Sequence, residues 1–130
     1  MRALLDTSVL ISDSAPIGVE AAVSLASLAE LHFGVQVALD ADERGRRTQR
    51  LGAIESTFDP IPVTAAIARE WGRLAAAVTE RGGKPRRRAT DLVIAATANV
   101  AGATLVTENT DDFAIISDLV NVQSPHQAAQ

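Results

Sequence analysis

The chain has 130 residues, 47% of them hydrophobic, no cysteine and a formal net charge of −4 at pH 7. This composition suits one domain with a single core, and it excludes disulfides and thiolate metal sites. The longest apolar stretch, residues 92–106, is too short to cross a bilayer, and Asp6 interrupts the only early apolar run, which argues against a signal peptide. We therefore expect a soluble, cytoplasmic domain over residues 1–130, with a flexible tail from about residue 124.

The first half of the chain alternates short apolar runs with helical patterns. These patterns predict, in order, a strand (2–5), a short helix (6–12), a second strand (21–24) and two longer helices (25–39 and 42–56). In the first of the longer helices, the apolar residues at helical spacing are Leu25, Leu28, His32 (by its ring), Val35 and Leu39. Glu30 lies off that stripe.

The second half continues the alternation. It predicts an extended piece (58–63), a long helix (64–80), a flexible loop (81–85) and an apolar helix (91–100). A strand (103–107), a helical turn (111–116) and a last strand (119–123) follow. Apolar runs in the strands favour an α/β fold in which a small central, mostly parallel sheet is flanked by helices. Sites in such folds gather beyond the carboxyl ends of the strands, where Asp6 and residues 107–112 are expected.

Four carboxylates, those of Asp6, Glu30, Asp91 and Asp112, lie next to apolar segments that should form the core. An unpaired charge is costly in such a place. Each acid also has an ordinary interpretation, since Asp6 can cap a helix, Asp91 can favour a helix start, and the other two can be surface charges. Gathered in one pocket, they would suit a divalent cation that acts on phosphate.

Eight of the twelve basic residues lie in two short runs, while both ends of the chain are acidic. The runs consist of Arg44, Arg46, Arg47 and Arg50, then Lys84, Arg86, Arg87 and Arg88. This pattern fits a phosphate backbone that is held by arginine and cut at a metal. Both runs can also be solvated surface, but the second leads directly into Asp91.

Four segments carry a resemblance to a known family. They read LLDTSVLI, SLASLAELHFGV, TDLVIAATA and LVTENTDDF in chain order. The chain resembles the PIN-domain ribonucleases, and most closely the VapC-type toxins of type II toxin–antitoxin pairs. The resemblance implies a PIN-like three-layer domain with a catalytic set of Asp6, Glu30, Asp91 and Asp112. It also implies that the metal ligands are Asp6, Asp91 and Asp112. The supporting polar groups that it implies are Ser8, Thr107 and Asn109. Asn109 is the alternative to Asp112 as the fourth ligand.

The activity that the resemblance implies is metal-dependent cleavage of RNA phosphodiester bonds, with tRNA or rRNA as the expected substrate. Mg²⁺ or Mn²⁺ would bind through one or two carboxylates and several waters. The arginines expected to contact RNA are Arg44, Arg46, Arg47, Arg86, Arg87 and Arg88. The expected partners are a second copy of the chain, in a homodimer, and a cognate VapB-type antitoxin whose C-terminal segment blocks the acidic pocket.

Two other functions remain open at this point. A catalytically silent domain could keep the PIN fold and only bind RNA or a partner, although three central acids weigh against it. A phosphatase of the haloacid-dehalogenase type also begins with a strand followed by Asp. It would need a second Asp where Ser8 stands and a catalytic lysine, whereas Lys84 is the single lysine and lies in a Gly-Pro loop.

Overall fold

The computed structural model describes residues 1–129, and a four-stranded parallel sheet lies at the centre of this part of the chain. Its strands are β1 (Arg2–Leu5), β2 (Glu20–Ala22), β3 (Thr104–Val106) and β4 (Val122–Gln123), arranged in the order β2-β1-β3-β4. In β1, Leu4 pairs with Ala22 on one side and with Leu105 on the other. The predicted α/β class with a parallel sheet is confirmed.

Helices connect these strands. They are α1 (Thr7–Ser12), α2 (Leu25–Gln36), α3 (Ala41–Thr57), α4 (Ala65–Glu80), α5 (Ala89–Ala101) and α6 (Pro125–Ala128), with 3-10 turns at Pro85–Arg88 and Thr110–Ile116. Side chains cap the starts of α2, α3 and α4, where Ser24, Asp40 and Thr64 each accept a hydrogen bond from a backbone N–H. Gly102 ends α5 in the left-handed conformation, with φ of 65°.

The sheet is covered on both faces, because alternate residues of each strand point to opposite sides. Leu4 and Leu105 face α4 and α5, and Ala3, Leu5 and Val106 face α1, α2 and α3. The central helix is α5, whose residues 94–98 are fully buried. This three-layer arrangement places the carboxyl ends of β1 and β3 side by side, at the edge where Asp6 and Thr107 lie.

The predicted apolar stripe of α2 is right for Leu28 and Val35, which pack against the core, and wrong for Leu25, His32 and Leu39, which are exposed. The helix ends at Gln36, and its buried residues are Ser27 and Leu31, whereas Leu39 is 99% exposed. His32 is also exposed, and its Nε2 lies 3.5 Å from Glu55 Oε2. A hydroxyl residue occupies the inner face of this helix because Ser27 has a polar neighbour there, and hydrophobic periodicity cannot reveal such a pairing.

A short helix stands where the sequence predicts a flexible tail. Ser124 and Gln127 form a reciprocal capping box at the start of α6, and Ala128 packs against the core on the α1 side of the sheet. The expectation of a flexible tail is therefore wrong for residues 124–129, and Gln130 lies outside the described residues. None of the helices over residues 1–129 has the length and apolar content that a membrane crossing requires.

Candidate active site

Asp6 lies directly after β1 and is only 5% exposed. It occupies the position before α1 where a side chain could cap the helix, but its carboxylate makes no capping hydrogen bond. Instead, Asp6 Oδ2 accepts hydrogen bonds from Ser8 Oγ at 2.7 Å and from Thr107 Oγ1 at 2.8 Å. The capping interpretation of Asp6 is thus replaced by a polar cluster that joins two strand ends.

Backbone groups orient the two hydroxyls of this cluster. The N–H of Glu108 donates to Ser8 Oγ, and the N–H of Asn109 donates to Thr107 Oγ1, both at 3.0 Å. Each hydroxyl therefore accepts from the backbone and donates its own proton to Asp6. Within residues 1–129, Oδ2 of Asp6 receives both of these bonds and Oδ1 makes none. One carboxylate oxygen is fixed, and the other remains available to a ligand.

Glu30 reaches the same region from α2. Its Oε1 accepts a 2.6 Å hydrogen bond from Thr7 Oγ1, which also lies 3.0 Å from Ser27 Oγ. Burial of the carboxyl group raises the pKa of Glu30 above its ordinary value of 4.5. The hydrogen bond from Thr7 opposes this rise, and the negative charges of Asp6 and Asp91 add to it. The three acids therefore share one electrostatic environment.

Asp91 lies in the first turn of α5 and is half-buried. Burial is the largest cause that raises the pKa of Asp91, followed by repulsion from Asp6, while Arg88 acts in the opposite direction. An ordinary first-turn acid would instead be stabilised in its charged form by the helix dipole. The raised pKa marks Asp91 as a member of the acidic cluster.

Asp112 joins the cluster through Arg88. Arg88 Nη1 lies 3.1 Å from Asp112 Oδ1 and 3.4 Å from Asp91 Oδ2. Asn109 is exposed, and within residues 1–129 its side chain makes no hydrogen bond, although its backbone does. The two candidates for the fourth position thus differ, because Asp112 is held by an arginine and Asn109 is not.

The donors of this cluster are of the kind that a hard cation prefers. All are carboxylate, hydroxyl or amide oxygens, and repulsion among the acids is a reason for a cation to bind. Within residues 1–129, however, no three His, Cys, Asp or Glu side chains lie close enough together to hold a metal. A cation at this cluster would therefore have at most one or two carboxylate ligands, with waters completing its shell.

Arginines of the first basic run mainly hold α3 against the end of α2 through hydrogen bonds. Arg47 Nη1 donates to Gly34 O in the last turn of α2 at 2.6 Å, and Arg44 Nη2 donates to Ala38 O, two residues after the helix ends, at 3.2 Å. Arg46 and Arg47 also pair with Glu43 at 2.6 and 2.8 Å. The spacing of Glu43 three and four residues before these arginines was the available sequence signal for the pairing.

The second basic run lies next to the acids. Arg86 and Arg87 are exposed, and their side chains make no hydrogen bond or ion pair within residues 1–129. Arg88 differs, since it binds two of the acids. The second run therefore offers two exposed guanidinium groups, of which Arg87 lines the same surface depression as Arg88 and Asp112.

A cleft of about 640 Å³ adjoins the acids on the side of α2 and α5. Its lining is mostly apolar and consists of Ala26, Ala29, Glu30, Phe33, Trp71, Ala89, Thr90 and Val93. Phe33 is 65% exposed, and Trp71 Nε1 donates to Ala89 O at 3.1 Å. Sequence reasoning missed both aromatic residues as site residues, because Trp71 fits the buried stripe of α4 and Phe33 lies on no stripe.

Comparison with known proteins identifies the family of this chain. Residues 3–119 match the PIN domain family. Ribonuclease VapC5 of Mycobacterium tuberculosis is 37% identical over 129 residues, which cover 92% of this chain and 91% of that protein. Ribonuclease VapC8 of the same species is 36% identical over 102 residues, covering 75% of this chain and 90% of that protein.

Solved structures show the same fold. The crystal structure of VapBC-5 from Mycobacterium tuberculosis, a member of the VapBC family of toxin–antitoxin systems, superposes with a TM-score of 0.80. Its sequence identity is 32%, with coverage of 95% of this chain and 96% of that one. FitAcB from Neisseria gonorrhoeae superposes with a TM-score of 0.76 at 26% identity, covering 95% and 98%.

Proposed function

The chain belongs to the PIN-domain family, in its VapC branch, and on this premise we propose that it is the ribonuclease toxin of a toxin–antitoxin pair. The observation that carries the proposal is the acidic cluster at the ends of β1 and β3. Asp6 is held there by two hydroxyls, and the pKa values of Glu30 and Asp91 are raised. A desolvated acid that repels its neighbours is suited to proton transfer and to cation binding.

The proposed reaction is metal-dependent hydrolysis of an RNA phosphodiester bond. Asp6 and Asp91, with Asp112 or Asn109, would hold Mg²⁺ or Mn²⁺ through one or two carboxylates and waters. When bound, such a cation activates water and neutralises charge on the scissile phosphate. Ser8 and Thr107 keep Asp6 oriented throughout the reaction. The raised pKa of Glu30 suits it to accept a proton from the attacking water near neutral pH.

In this reaction, one bond to phosphorus forms and one breaks. Water attacks phosphorus and loses a proton to a carboxylate such as that of Glu30, while the bond from phosphorus to the 3′-oxygen breaks. The leaving oxygen takes up a proton, so the products carry a 5′-phosphate and a 3′-hydroxyl.

We further propose that the substrate is tRNA or rRNA in the cytoplasm. Arg86 and Arg87 support a substrate with a phosphate backbone, because exposed guanidinium groups can bind phosphates. Arg88 belongs to the same run. The proposed RNA-binding surface also includes Arg44, Arg46 and Arg47. We expect them to contribute less to RNA binding, because their side chains already bond to backbone carbonyls near the end of α2 or to Glu43.

The proposed partner is a VapB-type antitoxin. Relatives with this fold are solved as VapBC toxin–antitoxin systems. The apolar cleft between Phe33 and Trp71 can receive a partner segment, and Glu30 lines both the cleft and the acidic cluster. An arginine of that segment could pair with the carboxylates in a bidentate manner and so block them.

The proposed homodimer would use the end of α2 and the neighbouring α3. Val37 is 49% exposed and Leu39 is 99% exposed, so apolar surface is available there. Its test is the mass in solution of the wild-type protein and of a Leu39→Asp variant.

The nuclease proposal is tested by incubating purified, antitoxin-free protein with a total tRNA and rRNA pool in Mg²⁺ or in EDTA. Asp91→Asn removes a charge from the cluster, and Asp59→Asn, at an exposed position, is the matched control. We expect discrete fragments from the wild type and from the control in Mg²⁺ only. Absence of fragments from a folded protein that binds RNA would favour a catalytically silent PIN domain.

A further inference from the structure

Arg88 lies between two acids that come from different parts of the chain. It ends the 3-10 turn Pro85–Arg88 and directly precedes α5, while Asp112 belongs to the turn Thr110–Ile116. The same nitrogen, Nη1, is 3.1 Å from Asp112 Oδ1 and 3.4 Å from Asp91 Oδ2. One guanidinium group therefore bridges two carboxylates that would otherwise repel each other.

The electrostatics of these groups agree with the geometry. The hydrogen bond to Asp112 is the largest cause that raises the pKa of Arg88, and Asp91 adds to it. In the opposite sense, Arg88 limits the rise in the pKa of Asp91 that burial and Asp6 cause. The positive charge of Arg88 thus partly compensates the negative charges of Asp91 and Asp112.

The loop before Arg88 is held by close packing. A Cβ built on Gly83 would lie 2.7 Å from Val78 Cγ1 and 2.9 Å from Ile115 Cδ1. The first of these atoms belongs to α4 and the second to the turn that carries Asp112. Gly83 therefore lets the loop approach that turn closely, which keeps Arg88 within reach of Asp112.

We propose that Arg88 is a built-in counter-cation that occupies Asp91 and Asp112 in the metal-free protein and competes there with the divalent cation. The inference rests on the proposed function in one respect, namely that a divalent cation is the cofactor. A cation that binds at Asp91 Oδ2 or Asp112 Oδ1, the two oxygens that contact Arg88, displaces the guanidinium group from that oxygen, because two cations at one oxygen repel each other. The released guanidinium group, 46% exposed in its side chain, is then able to pair with a phosphate of the RNA.

The test measures Mn²⁺ binding by isothermal titration calorimetry on the full chain, without RNA. The variant is Arg88→Gln, and the control is Arg87→Gln, which removes the neighbouring charge that makes no ion pair within residues 1–129. We expect Arg88→Gln to bind Mn²⁺ roughly fivefold more tightly than the wild type, the scale of one close and partly exposed charge pair. The control should change affinity clearly less, and Arg88→Lys should lie near the wild type.

An unchanged or weaker Mn²⁺ affinity in Arg88→Gln would overturn the proposal, because Arg88 would then assemble the acids for the cation rather than compete with it. A second measurement uses the wild-type chain, so that it does not depend on the folding of a variant. The side-chain ¹⁵N signals of Arg88 should shift on saturation with Mg²⁺, and signals that do not move would count against release of the guanidinium.

The outcomes separate this inference from the proposed function. Active wild-type protein with no gain in Mn²⁺ affinity in Arg88→Gln would contradict the inference alone. Tighter Mn²⁺ binding by Arg88→Gln, with no RNA cleavage by the wild type, would contradict the nuclease proposal alone. Failure of every variant and of the wild type to bind Mn²⁺ would overturn both.

Discussion

Thr107 Oγ1 donates a 2.8 Å hydrogen bond to Asp6 Oδ2 across a separation of 101 residues in the chain. The two residues meet because β1 and β3 are adjacent and parallel, so both strands end at the same edge of the sheet. Both residues are buried, and a buried carboxylate needs such donors to remain in place. This pair ties the folding of the sheet to the orientation of the central acid of the site.

We expect Thr107→Val to weaken the fold and the site together. The substitution keeps the shape but removes one donor to Asp6 and the acceptor for the N–H of Asn109. The free energy of unfolding should fall by about 1–3 kcal/mol, and the nuclease activity by roughly 10–100-fold. Urea unfolding and RNA cleavage rates measure both effects, with Thr110→Val as a control in the same segment. Wild-type activity in Thr107→Val would show that the hydroxyl does not orient Asp6.

Glu30→Gln should stabilise the metal-free protein at neutral pH. The pKa of Glu30 is raised in the folded state, so the folded state holds a proton more firmly than the unfolded chain does. The wild type therefore loses stability as the pH rises from the ordinary value of 4.5 through the raised folded-state value. The neutral amide of the variant avoids this loss and can still accept the hydrogen bond from Thr7.

The difference in Tm between Glu30→Gln and the wild type, both in EDTA, should accordingly be small below pH 4.5 and grow towards neutral pH. Comparison with the wild type cancels the effects of other titrating groups. Glu20→Gln, on the exposed start of β2, serves as the control and should show no such trend. A variant that is less stable than the wild type at neutral pH would argue that the charge on Glu30 is compensated in the metal-free protein.

Gly83→Ala should destabilise the protein, since the new methyl group would lie 2.7 Å from Val78 Cγ1 and 2.9 Å from Ile115 Cδ1. Relief of this overlap requires the loop or the side chains of Val78 and Ile115 to shift, at a cost of about 1–3 kcal/mol. Gly52→Ala in α3 is the matched control, because nothing lies within 4 Å of its Cβ. That control should instead stabilise the helix by about 0.5–1 kcal/mol. Equal Tm values for the two variants would mean that the loop adjusts freely.

Saturation with a divalent cation should stabilise the folded protein. A cation that binds only the folded state adds about 2.7 kcal/mol at a concentration one hundred times its Kd. We expect Tm to rise on addition of Mn²⁺, to return on addition of EDTA, and to rise much less in Asp6→Asn. The same Mn²⁺ response in Asp6→Asn as in the wild type would place the cation away from the acidic cluster.

Replacement of Arg86 and Arg87 by alanine should weaken RNA binding and make it less sensitive to salt. Each lost phosphate contact should reduce the slope of log K against log salt concentration by about 0.7 for single-stranded RNA. The measurement uses an Asp91→Asn background, so that RNA is not cleaved during the titration. Arg69→Ala, at an exposed position of α4, is the control. Identical slopes with and without the two arginines would remove them from the RNA surface.

Local patterns in the sequence predict most of the secondary structure and the candidate acids. The apolar run before Asp6, the cap at Thr64 and the apolar stretch after Asp91 depend on neighbours a few residues away, and β1, α4 and α5 follow them closely. The same patterns mislead in α2, where the buried residues are Ser27 and Leu31, which both lie off the predicted stripe. They also mislead at α6, where a capping box orders a polar terminal segment.

The sequence by itself therefore determined the fold class and the family, and it supplied the candidate acids, because these depend on spacing and on short motifs. Only the tertiary structure decided that Thr107 orients Asp6, that Thr7 contacts Glu30, and that Arg88 bridges Asp91 and Asp112. Most of these contacts join residues far apart in the chain, and all depend on how the helices and turns pack around the sheet. The distances between residues far apart in the chain are set by the core as a whole, so no local pattern encodes them.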